Sequence, residues 1–374
     1  MNKNTAFTFQ KYILILIFIL IICVVIRKFS KSIKQESFGN HKFSCSKVPK
    51  AIKMVFEERK KNKTGCSEND FYLPCAYTHC EKDIVRFVGE KKKKKIFIIE
   101  GCDTLASKVA LWNAIKKKYG DKASEIMPET FVLNNQLDLM IFKEYFNRRK
   151  KENKNSKFIL KNFKQRQEGL RLINCLKDVE QGIKDDFKLV QDYLENPFLI
   201  SGRKVNLRYY LLVICDKNKI KAYIYKDGFV YYTPKLFKKY SMVFDENITT
   251  GYIDRSVYDN NPLTLTDFKN YIGAKNTKKW NEEVDSKMYK VLNALSTEIC
   301  NSKKLAHHTK FQIFGADIAP DESLKATLME FNKGPDISFK DKADENVKKN
   351  MIRDVFDIID PIKRKDENGF KRIY

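Results

Sequence analysis

The chain has 374 residues, 43% of them hydrophobic and 13% aromatic, which excludes a disordered polymer and allows one large domain or two interlocked smaller ones. Its 72 Lys+Arg against 47 Asp+Glu leave a formal net charge of +25, which attracts polyanions without choosing among acidic protein tails, lipid headgroups and nucleic acid. Four histidines argue against a His-centred triad or a His-rich metal centre, and nine scattered cysteines without paired C-x-x-C spacing read as reduced thiols.

Residues 12–26 form an unbroken apolar run, YILILIFILIICVVI, and predict a single transmembrane anchor. At ~1.5 Å rise per residue the run falls short of a ~30 Å hydrocarbon core, but Phe7 and Phe9 can extend it while Lys11 snorkels. A cleaved signal peptide would need small residues after the run, where Arg27, Lys28 and Phe29 stand instead. The heavier basic flank (Arg27, Lys28, Lys31, Lys34) then places the large domain in the cytosol, at a membrane crossed once.

Residues 28–69 read as a basic tether with some helix over 48–60, and residues 70–150 as a smaller N-terminal α/β subdomain. In that subdomain five lysines precede a buried strand at 96–99, and residues 105–119 have helical spacing. Cys75, His79 and Cys80 lie close together but lack the further ligands of a metal site. Residues 151–360 form the core, with short strands at 158–161, 189–193, 207–214, 221–225 and 229–232. The last two flank Lys226, Asp227 and Gly228 and predict a β-hairpin. Met288, Val291, Leu292, Leu295 and Ile299 mark an amphipathic helix, after which 311–319 and 326–331 predict a final hairpin. Residues 361–374 read as a tail. The fold class is therefore α/β.

The chemistry concentrates at three places. In the final hairpin, side chains two apart share a face, so Glu330 and Asn332 point the same way. Symmetry about a turn at Ser323 and Leu324 sets Asp317 opposite Glu330. Two acids and an amide on one face suit Mg²⁺, and the pattern equally fits a solvent-facing pair at a strand end. Further upstream, Lys204, Asn206 and Arg208 alternate with apolar neighbours along one strand, a cationic face that is costly unless it meets anions. Before it, Gln191, Asp192, Tyr193 and Leu194 end a strand and could offer backbone groups to an adenine edge. Lys161 closes the strand FILK ahead of a polar loop, where a lysine can neutralise phosphate, although alone it also fits a solvated strand end.

In this order the segments FILK (158–161), VQDYLENPFLISGRKVNLRYYLLV (190–213) and FQIFGADIAPDESLKATLMEFN (311–332) resemble the tubulin-tyrosine ligase-like family of ATP-grasp ligases. A weaker match lies at 107–133, and the resemblance covers about 105–360. It implies an ATP-grasp architecture, the cofactors ATP and Mg²⁺, and activation of a protein carboxylate as an acyl phosphate that an amino group attacks. On that reading Lys161 meets ATP phosphates, Gln191 to Leu194 hold adenine, and Lys204, Asn206 and Thr249 lie beside the nucleotide. Arg208 binds the acyl or acceptor carboxylate with Lys204 close by, and Asp317, Glu330 and Asn332 carry the metal. The partners implied are a free amino acid and an acidic protein such as a tubulin tail, which suits the charge; no specific nucleic acid is expected.

The sequence departs from the family at Asn206, where the family has an acid, and at Tyr231, where it has an arginine tied to the amino-acid substrate. Asn247-Ile248-Thr249-Thr250 stands for the family's H-L-T-N, and Arg166-Gln167 for its Arg-Gly pair. The choice of amino acid therefore does not carry over. A second reading follows from the same departures: a catalytically idle, membrane-anchored basic module that binds microtubules or other polyanions.

Overall fold

The computed structural model describes residues 37–38, 41–43, 49–61, 71–73, 81–162, 169–361 and 367–374. The apolar run 12–26 and the group Cys75, His79 and Cys80 lie outside the described residues. Among the described residues no helix is long and apolar enough to cross a membrane.

The strands are β1 (Ser37–Phe38), β2 (His41–Phe43), β3 (Phe71–Leu73), β4 (Lys95–Ile96), β5 (Thr130–Val132), β6 (Phe158–Lys161), β7 (Leu170–Ile173) and β8 (Leu189–Asp192). They continue with β9 (Leu199–Ile200), β10 (Arg203–Asp216), β11 (Lys219–Tyr225), β12 (Phe229–Tyr232), β13 (Thr309–Pro320), β14 (Ala326–Asn332) and β15 (Phe370–Arg372). The helices are α1 (Lys50–Lys61), α2 (Cys102–Ala106), α3 (Lys108–Tyr119), α4 (Gln136–Glu152), α5 (Leu176–Lys184), α6 (Phe244–Asn247), α7 (Leu265–Leu295) and α8 (Lys342–Ile359). The architecture is mixed α/β, as the sequence predicts.

The larger sheet runs β1-β2-β3-β4-β13-β10-β11-β15, with β14 also on β13, and β9 and β12 also on β10. The smaller sheet, β5-β8-β6-β7, is antiparallel throughout. Strand β10 shows why the site lies where it does. Its residues Val205, Leu207, Tyr209, Leu211 and Val213 share one face and pack in one core with Trp280, Val284, Met288 and Leu292 of α7. Tyr210, Leu212 and Ile214 share the other face with Met351, Ile352 and Phe356 of α8 and with Ala51 and Val55 of α1. Lys204, Asn206 and Arg208 have the parity of that second face, but there the α8 core gives way to a cleft beside the smaller sheet. The polar residues sit where the apolar cover ends.

Three expectations change. Residues 221–225 and 229–232 do not form a hairpin: β11 and β12 each pair antiparallel with successive stretches of β10. The hairpin turn lies instead at Lys217 and Asn218, both at positive φ (50° and 59°), between β10 and β11. Gly228 serves a close approach, since a Cβ there would come within 2.0 Å of the Arg208 carbonyl oxygen. The helix expected over 105–119 is broken into α2 and α3, because Ser107 is extended and its hydroxyl caps Ala110 N of α3. Finally, Cys215 and Cys300 are bonded as a buried disulfide, because β10 and the segment after α7 bring together thiols 85 residues apart.

Candidate active site

Between the two sheets lies a cavity of about 290 Å³. Lys161 enters it from the end of β6 and Lys204 from the start of β10, each only 5% exposed. Neither ammonium has a hydrogen-bonding or ion-pair partner among the described residues, although Lys204 Nζ lies 4.1 Å from the centre of the Tyr193 ring. Burial pushes Lys204 down to about 7, with Lys157 and Lys161 adding repulsion, and pushes Lys161 down to about 8 against the pull of Glu330. Two desolvated cations in one cavity form a site for an anion. Beside them, Ile159, Leu170, Leu194, Ile248 and Met329 give the cavity an apolar wall of the kind that takes a flat ring.

Across the cavity stand the acids. The register pairs Asp317 of β13 with Glu330 of β14 as expected, but not through symmetry about Ser323 and Leu324: near the turn Pro320 faces Ala326 and Ile318 faces Leu328, and a bulge then shifts the register by one. The bulge places Met329 as the extra residue and so puts Glu330 opposite Asp317. Asn332 shares the Glu330 face, with its Nδ2 3.3 Å from Asp317 Oδ2 and 3.4 Å from Glu330 Oε1. Arg208 grips Asp317 through both oxygens, Nε to Oδ1 at 2.5 Å and Nη2 to Oδ2 at 2.9 Å. Burial raises the Asp317 carboxyl in spite of Arg208. Glu330 is desolvated as well, yet Lys108 and Lys161 hold it below the usual carboxylate range.

The remaining candidates divide. Asp192, Tyr193, Leu194, Asn206 and Thr249 line the cavity. Asp192 accepts a 2.7 Å bond from the Tyr145 hydroxyl, and Tyr193 donates to Asn247 Oδ1 at 3.0 Å. Gln191 does not line it, because strand alternation turns its side chain towards β5, where Nε2 donates to Thr130 Oγ1 at 2.7 Å. Tyr231 also lines the cavity, its ring 5.2 Å from the Arg208 guanidinium. Sequence reasoning missed Lys108 at the start of α3, whose Nζ is 3.2 Å from Glu330 Oε2. It also missed Lys157, which donates to Asn247 Oδ1 at 2.5 Å beside Tyr193. Nothing local marks either lysine, since each meets its partner only through the fold.

The residues fit a metal-bound polyphosphate. Among the described residues neither Lys161 nor Lys204 makes a direct ion pair, and Asp317 and Glu330 offer carboxylate oxygens with Asn332 between them, its amide within 3.3 and 3.4 Å of the two acids. A mixed α/β protein with a cleft of this size between two sheets has a pocket of the kind that takes a small ligand. The sequence model described as the tubulin-tyrosine ligase family matches residues 89–368, and the chain belongs to that family. It is similar to a probable tubulin polyglutamylase, TTLL9, of Rattus norvegicus, at 29% identity over 47% of this chain and 40% of the relative. It is also similar to a probable tubulin polyglutamylase, TTLL2, of Homo sapiens, at 26% over 66% of this chain and 42% of the relative. A tubulin monoglutamylase, TTLL4, of Mus musculus matches at 25% over 78% of this chain and 25% of the relative. The chain thus spans well under half the length of these relatives.

Proposed function

We propose that this protein is a Mg-ATP-dependent ligase of ATP-grasp architecture that joins an amino acid to a protein carboxylate through an acyl phosphate. The observation that carries the reading is the pair of buried lysines, Lys161 and Lys204, without an ion-pair partner among the described residues and lining one cavity with Asp317, Glu330 and Asn332. Lys161 and Lys204 hold the phosphates by charge, and the apolar wall from Ile159 to Met329 holds the base. Asp317, Glu330 and Asn332 hold Mg²⁺, which when bound supplies charge neutralisation for phosphoryl transfer. Arg208 orients the acceptor carboxylate, and the sheets around the cleft limit the access of water.

The acceptor we propose is an acidic protein segment such as a tubulin tail, which complements a net charge of +25 and accords with the tubulin named in the relatives' descriptions. Incorporation of labelled amino acids into acidic protein acceptors, run with each amino acid in turn, tests the activity. ATP-dependent labelling with at least one is expected; ATP binding without labelling by any would instead support the idle binding module. We also propose that residues 12–26 anchor the chain with the large domain cytosolic, as the flanking charge favours. Retention of the full chain in carbonate-washed membranes is expected, and its release would contradict the anchor.

A further inference from the structure

We propose that Arg208 and Lys108 are exchangeable counter-ions: each occupies a carboxylate that a divalent cation would claim, and metal entry releases both towards the anionic groups of the substrates. The inference rests on the metal-site reading of Asp317, Glu330 and Asn332, and goes beyond it by naming what holds those residues before the metal arrives.

All three are engaged in a way that a metal has to undo. Both Asp317 oxygens accept from the Arg208 fork at 2.5 and 2.9 Å, so a cation that takes Asp317 competes with a bidentate pair. Glu330 Oε2 lies 3.2 Å from Lys108 Nζ. Asn332 donates its Nδ2 to both acids, whereas a metal ligand has to present its carbonyl oxygen, so the amide must turn over as well. Two carboxylates paired across a ladder and removed from water repel one another, and the fold answers with one cation for each.

The surroundings hold Arg208 in this pose. A Cβ at Gly315 would come within 3.0 Å of Arg208 Cδ and 3.1 Å of Pro335 Cβ, so the bare backbone of β13 leaves the space through which the arginine reaches Asp317. The Tyr231 ring lies on the guanidinium at 5.2 Å. Lys108 comes from elsewhere: it is the first residue of α3, whose Leu111, Trp112 and Ile115 are buried in the core, so the helix fixes where its chain can reach. When a metal takes Asp317 and Glu330, two cations lose their partners within the cavity's reach. The order that follows is metal first, anionic acceptor second, because the Nε–Nη2 edge of Arg208 and most of its charge are committed to Asp317 until the metal takes that acid.

The test is titration of the full chain with Mn²⁺ alone, following free Mn²⁺ by its paramagnetic signal, in the wild type and in Arg208→Gln, Lys108→Gln and Asp317→Asn. Removing a competing cation from a buried carboxylate leaves that charge for the metal, so Arg208→Gln and Lys108→Gln are expected to bind Mn²⁺ about tenfold more tightly or better. Arg208→Gln is also expected to melt at a lower temperature than the wild type without metal and to recover in Mn²⁺. Lys108→Gln, at the first residue of α3 and partly exposed, decides the matter if Arg208→Gln fails to fold. Unchanged or weaker Mn²⁺ binding in a folded Lys108→Gln or Arg208→Gln, while Asp317→Asn loses the binding of the wild type, overturns the exchange and leaves the metal site standing. Absence of Mn²⁺ binding in every form, with and without ATP, overturns the metal site and the exchange together.

Discussion

Lys161 and Lys204 show how the site stores the energy of an unmet charge. Burial lowers them to about 8 and about 7, below the roughly 10.4 of a lysine in the unfolded chain. Between those values the unfolded chain binds more protons than the folded one, so folding stability rises with pH from about 7 upward. Below about 7 both states are protonated and the penalty of burying the charges is fully present. Bound phosphate restores the charged form, so ATP binding at about pH 8.5 takes up a fraction of a proton to about two protons, and less at about pH 6.5. Calorimetry in two buffers of different ionisation enthalpy measures this uptake, and proton release at the higher pH would count against phosphate meeting these lysines.

At the scale of elements, what could be read from the sequence was set by strand periodicity. The shared face of Lys204, Asn206 and Arg208 needs only alternation; the pairing of Asp317 with Glu330 is in the structure too, but it comes from a bulge at Met329 that a symmetric hairpin does not foretell. The hairpin expected around Gly228 failed because a glycine marks a turn and a close backbone approach alike, and here it is the approach. The Arg208–Asp317 and Lys108–Glu330 pairs were not legible at all, since no local rule links residues that only the folded sheet brings together. The position of Gly228 against the Arg208 carbonyl yields a test: Gly228→Ala is expected to destabilise the domain by about 1–3 kcal/mol or more in urea unfolding. A neutral effect would show that β12 can lift from β10 without penalty.

Across the whole molecule, segments far apart in sequence close on one carboxylate. Asp360, just past α8, accepts from Lys95 Nζ of β4 at 2.5 Å and from Arg59 Nη2 of α1 at 3.1 Å, and Arg59 also reaches Asp357 at 2.8 Å. Part of the stretch that the sequence suggests as a tether is therefore packed: α1 buries Ala51, Ile52 and Val55 against α8. The C-terminal residues likewise add β15 to the edge of β11. Removing the shared acid leaves two buried cations without it, so Asp360→Ala is expected to cost about 3–5 kcal/mol of unfolding free energy. Chemical denaturation measures it, and a loss within about 0.5 kcal/mol would mean that the cluster is solvated and the segments dock by apolar contact alone.

The central claim, that the cleft between the sheets is a metal-nucleotide site, is tested most directly by equilibrium binding of ATP to the full chain with and without Mg²⁺. The wild type is compared with Lys161→Ala and Lys204→Met, each checked for an intact fold. The account predicts Mg²⁺-dependent binding in the wild type and a loss of about tenfold or more in each variant, because each removes a charge that meets phosphate in a desolvated cavity. Equal ATP affinity in wild type and folded variants, or no ATP binding by the wild type at all, would contradict it.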